Sequence, residues 1–210
     1  AQKALGDIVQ GAFGSTGQRC TATSRAIVET TMYDQFMTEL IERTSALKIG
    51  DGIDPQVDVS PLSSQYQLDK VLEYIGIGTE EGGRIVHGGK ALTGGIYDEG
   101  YYVEPTIFTD VGLDTRIANE EIFGPVLTVF RAGDLDEAIS ISDRVQFGLS
   151  SSVYTRDLSL AHHYIDNIKT GMVHVNAPTL GGEVHLPFGG IKASGAGQRE
   201  QGTQAVEFFT

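Results

Sequence analysis

The single cysteine of this 210-residue chain, Cys20, lies in the segment FGSTGQRCTATSR, residues 13–25. The residues before it are small and flexible, so they leave the thiol accessible, and the neighbouring Arg19 favours the thiolate. A nucleophilic thiolate also needs donors for the oxyanion that its attack on a carbonyl creates, and backbone N–H groups after a helix end supply such donors. A lone cysteine is more often a small buried hydrophobe, so these residues alone leave both interpretations open.

Three further positions carry groups that could contact a ligand. Glu121 follows Glu120, Phe123 comes two residues later, and Asn176 follows a candidate strand. By themselves they are typical of solvated surface, a core aromatic and a strand-end turn. The sequence predicts no metal site, because the five histidines show no ligand spacing with the single cysteine. A dinucleotide-binding glycine fingerprint is also missing, since GIGTEEGG has Glu81 where the third glycine is needed.

The first half of the chain predicts helices separated by short strands. Residues 2–13 form an amphipathic helix pattern that ends at Gly14, so the cysteine follows a helix end. The further predicted elements are a strand over 25–29, a helix over 33–49 capped by Thr30 or Thr31, a helix within 63–78 with Tyr66 facing inward, a strand near 84–87 and an extended run over 101–111. Pro105 in that run argues for an edge strand or an irregular path.

The second half alternates strands and helices at regular spacing. Strands are predicted over 125–132, 149–155 and 171–177, and the intervening helices are capped by Asp134 and Asp157. This alternation is typical of crossover units, so the predicted fold class is α/β, a mostly parallel sheet with helices on both faces. The glycine-dense stretch 180–202 is predicted to be a loop shaped around a ligand or substrate.

The amino-acid composition limits the classes of binding partner and the expected cellular location. A net charge of -13 disfavours nucleic acid and anionic membrane surfaces. No apolar run approaches the ~18 residues that span a bilayer, and no signal peptide is recognisable. One cysteine makes no intrachain disulfide, which fits a reducing, cytoplasmic setting.

Three ordered motifs resemble the NAD(P)-dependent aldehyde dehydrogenase family. The cysteine segment matches the family's active-site segment, and NEEIFGPVLTVF matches its second hallmark. The third match is GMVHVNAPTLGGEVHLPFGGIKASGAGQREQG, residues 171–202, where the family places an Asn after a strand and then a glycine-rich loop. The residues that stand at the family spacing are Phe13, Gly17, Gln18 and Cys20, then Glu121, Phe123, Gly124 and Pro125, then Asn176, Pro187 to Gly190, Lys192, Ser194, Gly195, Gly197 and Glu200.

The resemblance implies a Rossmann-like catalytic domain and a role for each matched site residue. Cys20 would be the nucleophile, while Glu121 and Phe123 would contact the nicotinamide side of NAD or NADP. Asn176, Gln18 and Phe13 would contact the substrate. The family pattern also implies a homodimer or homotetramer.

The same resemblance implies that residues 1–210 are the catalytic domain of a longer chain. The general base, in an LELGG segment, and the coenzyme-binding domain would lie upstream, so we expect the 210 residues alone to be nearly inactive. The stretch after Asn176 resembles the branch that oxidises 2,5-dioxopentanoate (α-ketoglutarate semialdehyde), with succinate semialdehyde and aliphatic aldehydes as alternatives. Four cations are available for an acidic substrate: Arg19, Arg25, Lys192 and Arg199.

Two other functional classes use the same residues. A cysteine-dependent thioesterase or acyltransferase would need a histidine partner for the thiol, and turnover without coenzyme would identify it. An inactive homologue that keeps the fold would show a thiol of ordinary reactivity.

Overall fold

A four-stranded sheet stands at the centre of the computed structural model, which describes residues 2–210. The helices are α1 Gln2–Phe13, α2 Tyr33–Ser45, α3 Gln65–Glu80, α4 Arg116–Asn119, α5 Leu135–Asp143, α6 Leu158–Asn167 and α7 Gln204–Phe209, with a 3-10 turn over Gly95–Glu99. The strands are β1 Arg25–Glu29, β2 Arg84–His87, β3 Thr106–Thr109, β4 Val126–Ala132, β5 Phe147–Gly148, β6 Ser150–Val153, β7 Met172–Val175 and β8 Ile191–Lys192. The α/β prediction is confirmed.

Strand β4 lies inside the sheet, whose order is β1-β4-β3-β2. It pairs in parallel with β1, with Ala26 opposite Val129, and in parallel with β3, with Ile107 opposite Leu127. Only β2 runs antiparallel, at the outer edge of β3. An almost continuous apolar run such as that of β4 is typical of a parallel strand covered on both faces.

Helices cover both faces of this sheet, as predicted. Leu127 and Val129 of β4 pack with α1 and α2, whereas Val126 and Phe130 pack with α3, α4 and α5. Successive side chains of a strand point to opposite faces, so β4 contributes to two cores at once. The same strand therefore fixes α1, which leads to Cys20, relative to α3 and α4, which flank the Glu121 segment.

The remaining strands form two separate pairs and do not extend the central sheet. Strands β6 and β7 are parallel, with Ser152 opposite His174, and β5 pairs antiparallel with β8. The β5–β8 pair ties Ile191–Lys192, within the glycine-dense stretch predicted as a loop, to the body of the domain.

Several local predictions were wrong, and hydrogen bonds explain two of them. The residue at the N-cap position of α2 is Met32, and neither Thr30 nor Thr31 caps the helix. The Thr30 hydroxyl donates instead to the Ala132 carbonyl, and the Thr31 hydroxyl donates to the Glu29 carboxylate. Ser64 caps α3 by accepting from the Gln67 N–H, and this start leaves Tyr66 77% exposed instead of inward. Helix α2 also ends at Ser45, four residues earlier than predicted.

Pro105 lies on an irregular stretch that leads into the interior strand β3, so of the two predicted alternatives the structure has the irregular path and not the edge strand. It lies one residue before β3, where its missing N–H costs no bond of the ladder. Helix α7 was not predicted, and none of its residues is buried. Within residues 2–210, no helix combines the length and apolar character needed to cross a membrane.

Candidate active site

The loop that carries Cys20 begins where α1 ends. The Gly14 N–H donates to the Gln10 carbonyl, and the next turn closes with the Thr16 N–H donating to Phe13. Thr16 is buried, and its hydroxyl donates to the Ser60 carbonyl at 2.8 Å. After these anchored turns the Cys20 thiol is exposed. Among residues 2–210 the N–H groups of Cys20 and Thr21 have no recorded acceptor, so they are available to an oxyanion.

Gly17 lets this loop touch the segment around Gly124. A Cβ built on Gly17 would lie 2.0 Å from the Gly124 carbonyl oxygen, and the φ of Gly17 is +64°. Both the position and the backbone conformation therefore exclude an ordinary side chain. On the other side of the segment, a Cβ on Gly124 would lie 2.3 Å from Cγ2 of Val71 on α3. Two glycines thus bring two of the motifs into contact.

A cavity of about 370 Å³ opens between these segments. Its walls include Cys20 and Arg19 of the cysteine loop and Glu121 and Phe123 of the segment before Gly124. The rest of the wall includes residues in and next to the β5–β8 pair, namely 147–150 and 193–194. The structure thus brings together the predicted nucleophile and both residues predicted to contact a coenzyme.

The two adjacent glutamates have different environments. The Glu120 carboxylate accepts from Tyr74 at 2.6 Å and pairs with Arg116 at 3.0 Å, and these hydrogen bonds, Arg116's first, lower its pKa. The Glu121 carboxylate is exposed and has no recorded hydrogen bond or ion pair within residues 2–210. Glu121 therefore keeps both carboxylate oxygens free as acceptors.

Helix α3 holds the backbone next to Glu121. The Gln67 amide donates to the carbonyls of Ile122 and Phe123 at 3.0 and 2.8 Å, and Lys70 donates to the Glu121 carbonyl at 3.0 Å. Sequence reasoning missed Gln67. Its signal was a polar residue four positions before Val71 on the inward face of α3.

The three residues predicted to contact substrate do not line this cavity. Phe13 is fully buried in the core between α1 and the sheet. Gln18 accepts from the Ser63 N–H at 3.1 Å, and Asn176 bonds both the N–H and the carbonyl of Thr155. Their substrate roles stay predictions.

The chain after Asn176 is nevertheless tied to the cysteine loop. The Thr179 hydroxyl donates to the Thr21 carbonyl at 2.9 Å and lies 2.9 Å from the Thr23 hydroxyl. Ser150 in turn donates to the Thr179 carbonyl at 3.1 Å. The third motif is thereby anchored beside the first, a contact that the sequence did not indicate.

Only one of the four candidate cations lines the cavity without a recorded partner within residues 2–210. Arg25 also lines it but donates to the Ile141 and Ser142 carbonyls, and burial lowers its pKa. Lys192 donates to the Asp143 carbonyl and Arg199 to that of Gly189. The remaining cation, Arg19, is exposed beside Cys20.

Neither a metal cluster nor a cysteine–histidine pair is found in the described part of the chain. No group of three or more potential metal ligands occurs there. None of the five histidines is among the residues that line the cavity around Cys20.

Comparison with known proteins extends over the whole chain. The model of the aldehyde dehydrogenase family matches residues 1–210. An alpha-ketoglutaric semialdehyde dehydrogenase of Bacillus subtilis is 44% identical over 97% of this chain and 42% of its own. A 2,5-dioxopentanoate dehydrogenase of Saccharolobus solfataricus is 42% identical over 96% of this chain and 41% of its own. The chain thus spans about two fifths of the length of these curated relatives.

A solved structure supports the same comparison. A betaine aldehyde dehydrogenase of Staphylococcus aureus in complex with NAD+ superimposes with a TM-score of 0.95 at 32% identity. The match covers 99% of this chain and 41% of that one.

Proposed function

Because the chain belongs to the aldehyde dehydrogenase family, we propose that it supplies the catalytic cysteine of an enzyme that oxidises an aldehyde to a carboxylic acid with NAD+ or NADP+. One observation carries the proposal: a single cavity joins the exposed Cys20 with Glu121 and Phe123. The names of the relatives, all dehydrogenases of aldehydes, agree with it.

The proposed reaction takes place on the Cys20 sulphur. The thiolate forms a C–S bond to the aldehyde carbon, and the resulting alkoxide accepts hydrogen bonds from the N–H groups of Cys20 and Thr21. Collapse of the alkoxide breaks the C–H bond and leaves a thioester. Water then adds to the thioester, and the C–S bond breaks to release the acid and the thiolate.

A nicotinamide coenzyme supplies the acceptor for the two electrons and the hydrogen that leave the carbon as hydride. The residues present fit one end of such a molecule. Glu121 lines the cavity, and its carboxylate has no recorded partner among residues 2–210, so it can accept hydrogen bonds from both hydroxyls of a ribose. Phe123 adds an apolar surface beside it.

For the substrate we propose a semialdehyde that carries a carboxylate, with 2,5-dioxopentanoate first. Arg19 is the observation behind this choice, because it lies next to Cys20 on the cavity wall with its guanidinium unpaired in the described residues. A guanidinium binds a carboxylate through two parallel hydrogen bonds. A betaine aldehyde, which is cationic, would be repelled at the same place.

Further parts of the proposal concern the larger protein. We propose that the general base and the coenzyme-binding domain lie outside residues 1–210, that the protein forms a homodimer or homotetramer, and that it is cytoplasmic. The exposed Val206 and Phe209 on α7 and the unpaired thiol are the features that favour assembly and a reducing location.

The test is NAD(P)H production at 340 nm by the protein with all the flanking sequence its gene encodes. We expect turnover of 2,5-dioxopentanoate by the parent protein and loss of this turnover in Cys20→Ala.

The Arg19→Gln variant tests the proposed substrate. We expect its KM for 2,5-dioxopentanoate to rise about 10-fold, because a hydrogen bond to a charged group contributes ~1.5–3 kcal/mol. Its KM for propanal, which has no carboxylate, should not change. If no aldehyde gives NAD(P)H and the protein cleaves p-nitrophenyl acetate without coenzyme, the result would instead identify a thiol hydrolase.

A further inference from the structure

Gln67 is a buried polar residue in the first turn of α3, on a helix face that is otherwise apolar. It is 9% exposed and lies on α3, where Val71 and Ile75 follow it at intervals of four residues. Its amide nitrogen donates to the carbonyls of Ile122 and Phe123 at 3.0 and 2.8 Å. Burial of an amide is unfavourable unless the amide is hydrogen-bonded, so these two bonds account for its presence there.

The segment that Gln67 holds has an unusual backbone. The φ of Phe123 is +59°, in the left-handed region that aromatic residues rarely adopt. Such a conformation persists only where the surroundings impose it. The constraints on this segment include the two Gln67 bonds, the Lys70 bond to the Glu121 carbonyl and the close approach of Gly17 to the Gly124 carbonyl.

We propose that Gln67 is a positioning residue: its side-chain amide fixes the left-handed turn at Phe123 and thereby aims the Glu121 carboxylate into the cavity beside Cys20. Gln67 itself does not line that cavity. It acts through the main chain, at the carbonyls one and two residues after Glu121. The inference rests on the proposed function in so far as the group that Glu121 binds is taken to be a coenzyme.

The first measurement is hydrogen exchange of the backbone amides of residues 120–124 in the coenzyme-free protein, with its natural flanking sequence. Gln67→Met keeps the length of the side chain and removes its N–H donors. We expect exchange over 120–124 to be about 10-fold faster, because both hydrogen bonds from the Gln67 amide to the carbonyls of Ile122 and Phe123 are lost. Exchange over β4, residues 126–132, should be unchanged.

The matched control is Gln65→Met, on the same helix. The Gln65 amide bonds only the exposed Asp69 carboxylate, at 2.7 Å. We expect no change over 120–124 in this variant. If Gln67→Met does not fold, Gln67→Leu is the second variant, since it also lacks N–H donors, and the same local acceleration is expected.

The second measurement is a double-mutant cycle on coenzyme affinity by calorimetry. Gln67→Met and Glu121→Gln should each raise the Kd for NAD+ or NADP+ about 10-fold, and the double variant should add little, because both changes act on one contact. Additive effects, or unchanged exchange over 120–124 in a folded Gln67 variant, would overturn the positioning role. Failure of the parent protein to bind either coenzyme would refute the proposed function, while the exchange experiment still decides the role of Gln67.

Discussion

At the scale of single residues, environment separates side chains that the sequence cannot distinguish. Glu120 and Glu121 are identical neighbours that both line the cavity, yet Arg116 and Tyr74 bind the first, while the second has no recorded partner in the described residues. The pKa of Tyr74 is raised as well, first because the side chain is buried and then because its hydroxyl donates to Glu120. The predicted assignment of the ligand role to Glu121, made from motif position alone, fits this difference in environment.

Gly17→Ala tests the contact between the cysteine loop and Gly124. An added Cβ would lie 2.0 Å from the Gly124 oxygen, so one segment has to move. We expect the free energy of unfolding to fall by at least ~3 kcal/mol, as for other severe overpacking, and the activity to be lost. Urea unfolding and the 340 nm assay measure the two effects.

Gly95→Ala is the matched control for backbone strain. The φ of Gly95 is +61°, close to that of Gly17, but nothing lies within 4 Å of its added Cβ. We expect a cost of only about 1–2 kcal/mol, from the left-handed conformation, and normal activity. Equal losses in the two variants would show that strain, and not the contact with Gly124, explains the effect at Gly17.

At the scale of elements, the strands and helices of the second half were predictable because local signals agree. Asp134 and Asp157 each accept hydrogen bonds from N–H groups in the first turn of the helix that follows. The helix starts were therefore fixed by residues next to one another in sequence. Helix α2 differed because Thr30 and Thr31 found partners in β4 and β1 instead.

Asp157→Ala should destabilise α6. The Asp157 carboxylate accepts from the Ser159 and Leu160 N–H groups at 2.7 and 3.2 Å, and removal of such a cap costs about 1 kcal/mol. Asp157→Asn should retain most of the stability, since its side-chain oxygen still accepts. Asp166→Ala, at an exposed position of the same helix, is the control, and thermal or urea unfolding provides the measurement. A loss as large in the control would rule out capping as the cause.

At the scale of the whole molecule, charge and burial make stability depend on pH. His174 on β7 has a buried Nε2 without a recorded partner in the described residues, and burial lowers its pKa below 6.5. The pKa of His87 is also lowered, because the effect of burial is larger than the opposing effect of Glu104. The unfolded chain therefore binds protons more readily than the folded one as pH falls below 6.5.

We expect the melting temperature to decrease as the pH falls from 7 towards 5, and to decrease less in His174→Phe. The sign follows from the lowered pKa: the stability is complete above the unfolded-state value and is lost as the pH falls towards the folded-state value. His162→Phe, at an exposed position of α6, should keep the slope of the parent protein. Calorimetric scans at several pH values measure the slopes, and identical slopes for all three proteins would contradict the prediction.

The sequence by itself determined the fold class, most element positions and the three motifs, because periodicity, capping residues and motif spacing are local properties. It also indicated Cys20, Glu121 and Phe123 as candidate ligand-contacting residues. Only the tertiary structure decided that residues 17 and 124 touch, that the Gln67 amide bonds the carbonyl of Phe123, and that Glu120 is paired while Glu121 has no recorded partner among residues 2–210. These facts depend on packing between segments that lie far apart in the chain, since two cores on opposite faces of β4 set the positions of α1 and α3, which hold the cysteine loop and the Glu121 segment.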